Sequence, residues 1–153
     1  MEILQASMTD AEEILQLQKT AYLIEAERYH DYTIHPLRQT LAEIKEQVKT
    51  MIVLKAVSDG NIVGTVRAYK ESETCYVGKL AVLPEKQNQG IGTALMQAIE
   101  KYFRPKRFEL FVGSKSDNNI NLYQKLGYTP YKSSRYECGN IEILYMEKTN
   151  NDR

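Results

Sequence analysis

An apolar segment, Val77 to Val82, leads into the polar, glycine-bearing stretch Gln87-Asn88-Gln89-Gly90-Ile91-Gly92, and an amphipathic helical pattern leaves it. Gly90 and Gly92 lack a Cβ, so the backbone there can take conformations other residues avoid and can come close to a ligand. The loop then opens a helix, where orphan N–H groups and the positive end of the dipole favour an anion. Ile91, Leu95, Ala98 and Tyr102 recur at helical spacing, Ile99 widens the apolar stripe, and Pro105 stands where the helix should stop. A helix is predicted over roughly 90 to 103, entered through a phosphate-binding loop.

Two better-known phosphate loops fail at named residues. A P-loop needs Lys-Ser or Lys-Thr after its last glycine, and Gly92 is followed by Thr93-Ala94. A dinucleotide fingerprint needs a third glycine three residues after the second, and Leu95 stands there. What remains, with Gln87, Gly90 and Gly92 in the fixed positions and Leu80-Ala81-Val82-Leu83-Pro84 before them, resembles the pyrophosphate motif of the GNAT superfamily of acetyl-CoA-dependent N-acetyltransferases. Downstream, Leu122-Tyr123-Gln124-Lys125-Leu126-Gly127-Tyr128 is similar to that family's second fingerprint, a short helix of the form Leu-Tyr-x-Lys-Leu-Gly-Phe/Tyr. The resemblance extends in element order from about Ile52 to Lys148, and more loosely over the first 50 residues.

The 153 residues suffice for one domain with a core that needs neither disulfides nor metal. The domain is expected over 1–148, with 149–153 a disordered tail. No apolar run approaches the roughly 20 residues of a membrane helix, and Met1-Glu2-Ile3-Leu4 begins like a strand, so a cytoplasmic, membrane-free protein is expected. Cys75 and Cys138 are the only cysteines and lack metal-ligand spacing. Cys75, in a predicted strand, reads as a small buried hydrophobe. Residues 1 to 50 carry nine Asp/Glu against five Lys/Arg, and the remainder eleven against fifteen. That split suits phosphates on the second part and a cationic amine beside the first, and no basic cluster is dense enough for nucleic acid. A homodimer is compatible with all of this.

Glu2 to Ala6 alternates like a strand. Thr9-x-x-Glu12 and Thr40-x-x-Glu43 read as capping boxes, opening one helix with Ile14, Leu17, Ala21 and Ile24 on its apolar face and another with Leu41, Ile44 and Val48. Tyr29 to Arg38 reads as a polar, aromatic loop whose His30 and His35 lack the spacing of a helical metal pair. Met51 to Val57 and Ile62 to Tyr69 form a hairpin around Asp59-Gly60, and Thr74 to Val82 continues the sheet. Phe108 to Val112 is a short strand, Ser116 caps the helix of Tyr123, and Gly127 ends it. Thr129 to Tyr136 and Ile141 to Glu147 close a hairpin around Cys138-Gly139-Asn140. The order β-α-α-β-β-β-α-β-α-β-β implies an α/β (α+β) fold: a mixed, mostly antiparallel sheet of about seven strands with helices on both faces, which is also the GNAT order.

Acetyl transfer passes through a tetrahedral oxyanion and releases a thiolate, so a site needs N–H donors near the thioester oxygen and an acid near sulfur. The resemblance assigns the first task to the backbone N–H of Leu80, with Val82 holding the pantetheine arm. It places the diphosphate on Gln87, Asn88, Gln89, Gly90, Ile91, Gly92 and Thr93. Tyr123 aligns with the tyrosine that acts as general acid in many members, and a phenol with a reference pKa of about 10 is protonated at neutral pH. Where many members carry a cofactor-binding asparagine this chain has Ser116, with Asn119 three residues on; either is the expected substitute. Tyr76 occupies the position of the carboxylate base found in some members, and Glu73 has the opposite strand parity, so no base is assigned. Freeing an amine of pKa near 10.4 at pH 7 costs roughly 4 kcal/mol, within reach of ordered water. The resemblance places the acceptor, a small-molecule or peptide amine, between the loop joining the first two helices and the final strands. That points to Glu25, Tyr29, His30, Asp31 and Tyr32 with Tyr136 opposite, and Tyr76 is added as a substrate contact; acids and aromatics together suit an ammonium. The competing expectation is a non-catalytic acyl-CoA sensor. Acetyl-CoA is the expected cosubstrate, and no metal is expected.

Overall fold

A computed structural model describes residues 1–135 and 141–151. Its seven strands form one sheet in the order β1-β2-β3-β4-β5-β7-β6: β1 (Glu2–Gln5), β2 (Ile52–Ser58), β3 (Asn61–Glu71), β4 (Thr74–Val82), β5 (Arg107–Gly113), β6 (Thr129–Arg135) and β7 (Glu142–Thr149). Every neighbouring pair is antiparallel except β4 with β5. The helices are α1 (Ala11–Tyr29), α2 (His35–Arg38), α3 (Leu41–Thr50), α4 (Ile91–Glu100) and α5 (Asp117–Lys125). The expected mixed sheet is observed, with one short helix, α2, added in the loop predicted over Tyr29 to Arg38.

Strand alternation sorts the core onto two faces. Val66, Ala68, Cys75, Val77, Phe108 and Leu110 pack with Leu95, Met96 and Ile99 of α4 and Tyr123 of α5. Val53, Ile62 and Ala81 pack with Ile14 and Leu17 of α1 and Ile44 of α3. Burial removes Cys75 from solvent and pushes its thiol pKa up to about 12, which leaves it a hydrophobe rather than a nucleophile.

Local chemistry sets the ends. Glu43 N–H donates to the Thr40 hydroxyl at 3.2 Å while Thr40 N–H donates to the Glu43 carboxylate at 2.9 Å, the reciprocal box that starts α3. The box predicted at Thr9 and Glu12 is not formed. Instead the Asp10 carboxylate accepts from Ser7 N–H at 2.8 Å, because a 3₁₀ turn, Met8–Asp10, precedes α1. Two apolar positions also move: Ile24 is 37% exposed and Tyr102 48%, the latter because α4 stops at Glu100. Thr149 and Asn150, expected in a disordered tail, are held against the start of β5. Thr149 pairs with Arg107, and Asn150 N–H donates to the Lys106 carbonyl at 2.9 Å. The turn predicted at 138–140 lies outside the described residues.

One irregularity organises the middle of the sheet. The β3–β4 register steps from Thr65↔Ala81 to Arg67↔Gly78, so Lys79 and Leu80 together oppose Val66 in a bulge, and Lys79 takes φ of 54°. On the other side, β4 pairs with β5 only from Thr74↔Arg107 to Tyr76↔Glu109. Beyond Tyr76 the two parallel strands diverge, and the bulge sits at that divergence.

Candidate active site

The divergence opens a cleft of about 470 Å³ whose walls are the end of β4, the loop into α4, the face of α5 and the middle of α1. Leu80, Val82, Gln87, Asn88, Gly90, Ile91, Gly92, Thr93 and Asn119, all predicted cofactor contacts, line it. Gln89 does not; its amide donates to the Glu85 carbonyl at 3.4 Å.

The loop has the backbone its glycines imply. Asn88 and Gly90 both have positive φ, 63° and 85°, and Gly90 is the N-cap of α4. The first helical bond runs from Ala94 N–H to the Gly90 carbonyl at 3.0 Å, so the N–H groups of Ile91, Gly92 and Thr93 precede the helical ladder. A Cβ on Gly92 would lie 3.2 Å from Leu122 Cδ2, so α4 and α5 approach closely there. Gln87 ties the loop down by donating to the Val82 carbonyl at 3.2 Å. Lys86, Arg28 and Lys125 add cations to the cleft wall. An array of N–H groups at a helix start, with ammonium and guanidinium groups around it, is an anion site of diphosphate size.

Leu80 is pinned by a residue the sequence reading did not single out. The Tyr22 hydroxyl donates to the Leu80 carbonyl at 3.1 Å, fixing one peptide of the bulge from α1. Burial raises the Tyr22 phenol to about 12, so it is a donor throughout the physiological range.

Tyr123 lies in the core, 7% exposed, with its ring edge-on to Tyr128 at 6.1 Å; its neighbour Leu122, not Tyr123 itself, is in the cleft wall. Its hydroxyl makes no hydrogen bond among the described residues. Burial, reinforced by Tyr22 and Glu25, holds its pKa well above the ordinary phenol value. A buried phenol that stays protonated and has no partner is chemically an available donor.

Ser116 stands at the N-cap position of α5 but does not cap it. It is 2% exposed, and its hydroxyl donates to Glu25 at 2.5 Å and lies 3.2 Å from the Tyr29 hydroxyl. Tyr29 also accepts from Lys115 N–H at 2.8 Å. Glu25, Tyr29 and Ser116 therefore fasten α1 to the β5–α5 connection, and Asn119 is the member of the expected pair that reaches the cleft. Arg28 neutralises Glu25 at 2.6 Å.

Of the predicted acceptor residues, Glu25 and Tyr29 come together at the Ser116 hydroxyl, while Tyr32 and Tyr76 lie elsewhere. Glu25 lines the first cleft, Tyr32 is 56% exposed, and Tyr136 is outside the described residues. Tyr76 lines a second cleft of about 270 Å³, stacked on Tyr69 with ring centroids 5.3 Å apart. Arg67 and Lys79 share that cleft. The two clefts abut at the bulge, with Lys79 in one wall and Leu80 in the other. The sequence signal for Arg67 and Lys79 was a lone cation in each of two strand segments with no other charge, Ile62 to Ala68 and Val77 to Val82. Among the described residues no three His, Cys, Asp or Glu are grouped to hold a metal ion, and no helix is long and apolar enough to cross a membrane.

A family model, the acetyltransferase (GNAT) family, matches residues 11–128. An N-alpha-acetyltransferase of Sulfurisphaera tokodaii is 28% identical over 157 residues, which span 92% of this chain and 87% of that protein. The PaiA N-acetyltransferase of Thermoplasma acidophilum, solved in complex with coenzyme A, has the same fold with a TM-score of 0.82 at 17% identity, over 97% of this chain and 98% of that one. The yncA protein of Salmonella typhimurium, solved with its cofactor acetyl-CoA, gives 0.78 at 17% identity, over 100% and 95%. With most of its length matched by the family model, the chain belongs to the acetyltransferase (GNAT) family and is an acyltransferase.

Proposed function

We propose that the protein is an N-acetyltransferase that moves an acetyl group from acetyl-CoA to a primary amine by direct attack in a ternary complex. The observation that carries this reading is the divergence of β4 from β5 at the Lys79–Leu80 bulge, beside the α4 N-terminus and between two abutting clefts. The coenzyme A and acetyl-CoA held by the Thermoplasma and Salmonella proteins support the cofactor, and the N-alpha-acetyltransferase of Sulfurisphaera supports an amine acceptor.

In this reading the diphosphate takes the N–H groups at 91–93 and the cations around them, Val82 holds the pantetheine arm, and Asn119 contacts the cofactor from α5. Gln87 and Ser116 act by holding the loop and α1 in place. The amine enters from the second cleft, past Tyr76, and attacks the thioester carbon. Its oxygen becomes an oxyanion that accepts from the Leu80 N–H, whose peptide neighbour Tyr22 immobilises. The C–S bond then breaks, the electron pair leaves on sulfur, and Tyr123 hydrogen-bonds that thiolate and donates its phenolic proton to it, the phenol regaining a proton from solvent. Ordered water takes the proton from the amine.

Coenzyme A and acetyl-CoA should raise the thermal midpoint, and ATP and NAD should not, because the loop lacks the P-loop lysine and the third dinucleotide glycine. A panel of polyamines, amino acids, aminoglycosides and peptides should then yield at least one amine that releases coenzyme A and gains an acetyl group. No thermal response to either CoA ligand, or no acetylated amine, would defeat the proposal.

A further inference from the structure

We infer that the acceptor of this enzyme carries a carboxylate, and that Arg67 and Lys79 bind it in the second cleft. The inference rests on the acetyl-transfer reading for the meaning of that cleft, but on separate observations for its content.

Arg67 is 3% exposed in the middle of β3. Its Nη2 donates to Gln18 Oε1 at 2.8 Å and to Gln39 Oε1 at 2.7 Å, and Gln18 Nε2 donates to the same Gln39 oxygen at 2.9 Å. These amides orient the guanidinium without supplying a charge. Arg67 makes no ion pair, and its Nη1 has no hydrogen-bond partner among the described residues. The one other buried side-chain polar atom so left among the described residues, Gln47 Oε1, belongs to a residue lining the same cleft. Buried polar atoms are rarely left unpaired, and a buried cation still less often. Both orphans in one cleft mark a place where a ligand completes the bonding.

The charges around it give the ligand its sign. Lys79, half-buried in the same wall, makes neither an ion pair nor a hydrogen bond with a described residue. Burial and the nearby Arg67 charge bring its pKa down to about 8, as expected of two like charges with no counter-ion. The acid lining the cleft, Glu109, already accepts from Arg107 Nη2 and the Tyr131 hydroxyl, each at 2.7 Å. Two cations without a counter-ion, one of them with its Nη1 still free to donate, match a carboxylate, and Gln47 Oε1 accepts an N–H of the same ligand. Because Lys79 adjoins Leu80, a carboxylate held there leaves an amine a few bonds away at the thioester.

The test uses acceptor pairs that differ in the charge of one group, with kcat/KM referred to the unprotonated amine: an α-amino acid against its amide, and a peptide with Glu next to the reacting amino group against the same peptide with Gln. The acid member of at least one pair should be acetylated with kcat/KM at least about tenfold higher. Lys79→Gln should reduce that preference and Lys79→Glu should abolish or invert it; neither removes a structural bond, so both should fold. The pair that discriminates tells a free carboxylate from an acidic side chain. Equal kcat/KM within both pairs, or a polyamine as the best acceptor, overturns the inference. If no amine is acetylated, the acetyl-transfer proposal fails and binding alone decides the anion site. Glutarate, compared with sodium chloride at matched ionic strength, should then raise the thermal midpoint of the wild type but not of Lys79→Glu, and an equal response of the two proteins overturns the site.

Discussion

Gly90 offers a way to separate backbone strain from charge at the cofactor loop. Its φ is 85°, and a Cβ placed on it meets nothing within 4 Å. Gly90→Ala therefore costs only the left-handed backbone, about 1 to 2 kcal/mol, or roughly 2 to 8 °C in midpoint for a chain of this size. Gly90→Asp carries the same strain and adds a negative charge at the N-cap of α4. With about 6 Å between that carboxylate and each charge of a diphosphate, and an effective dielectric constant of about 40 for so open a loop, each pair repels by about 1.4 kcal/mol. Two such pairs total about 3 kcal/mol, or about 100-fold in affinity. Calorimetric titration of coenzyme A into both variants, each first shown to be folded, should find Gly90→Ala within a few-fold of wild type and Gly90→Asp about 100-fold weaker. Equal affinity in the two variants, whether both normal or both lost, would refute the electrostatic account of the loop.

Tyr123→Phe removes one oxygen and little packing; kcat should fall by about 10²-fold or more while acetyl-CoA affinity stays within a few-fold, and the deficit should shrink with an acyl donor whose thiol leaves more readily. Near-normal turnover across pH would make Tyr123 a packing residue. Tyr22→Phe loses the bond to the Leu80 carbonyl at 3.1 Å, so thermal melts should show a loss of about 1 kcal/mol, with a fall in kcat larger than any rise in KM. For Asp10, partial burial works against ionisation, but bonds from Ser7 N–H and the Lys55 ammonium outweigh it and hold the carboxyl below its ordinary value. A depressed folded pKa stabilises fully above the unfolded value of about 3.9 and is lost as pH falls through the folded one. Asp10→Asn should accordingly cost about 1 kcal/mol or less at pH 7, with the difference from wild type closing as pH drops below about 4 in denaturant titrations.

What the sequence disclosed, and what it hid, follows from how far apart the interacting residues are. The loop from Gln87 to Gly92 and the α3 box at Thr40 and Glu43 are contiguous devices, complete within a few residues, so their chemistry can be read directly. Ser116 misled because the local rule makes it a cap, while its hydroxyl goes to Glu25, 91 positions away. Ile24 fitted the helical stripe of α1, yet the stripe continues past the core into the cleft. Nothing in the alternation of β4 announces that Lys79 takes a positive φ, because that bulge is settled by pairing with β3. The second cleft draws on α3, β3, β4 and β5, and its unpaired atoms exist only once those elements are assembled. Arg67 within Ile62 to Ala68 and Lys79 within Val77 to Val82 were the visible hints, since a cation inside a strand with no other charge has to be explained by a partner.

Initial-velocity kinetics on the best amine of the panel test the central claim most directly, with acetyl-CoA and amine concentrations varied against each other. If the two clefts must be filled together for transfer across the Lys79–Leu80 bulge, double-reciprocal lines will intersect, and protein mixed with acetyl-CoA alone will release no stoichiometric burst of coenzyme A. Parallel lines, together with such a burst and an acetylated protein residue that passes its group to the amine, would contradict direct transfer.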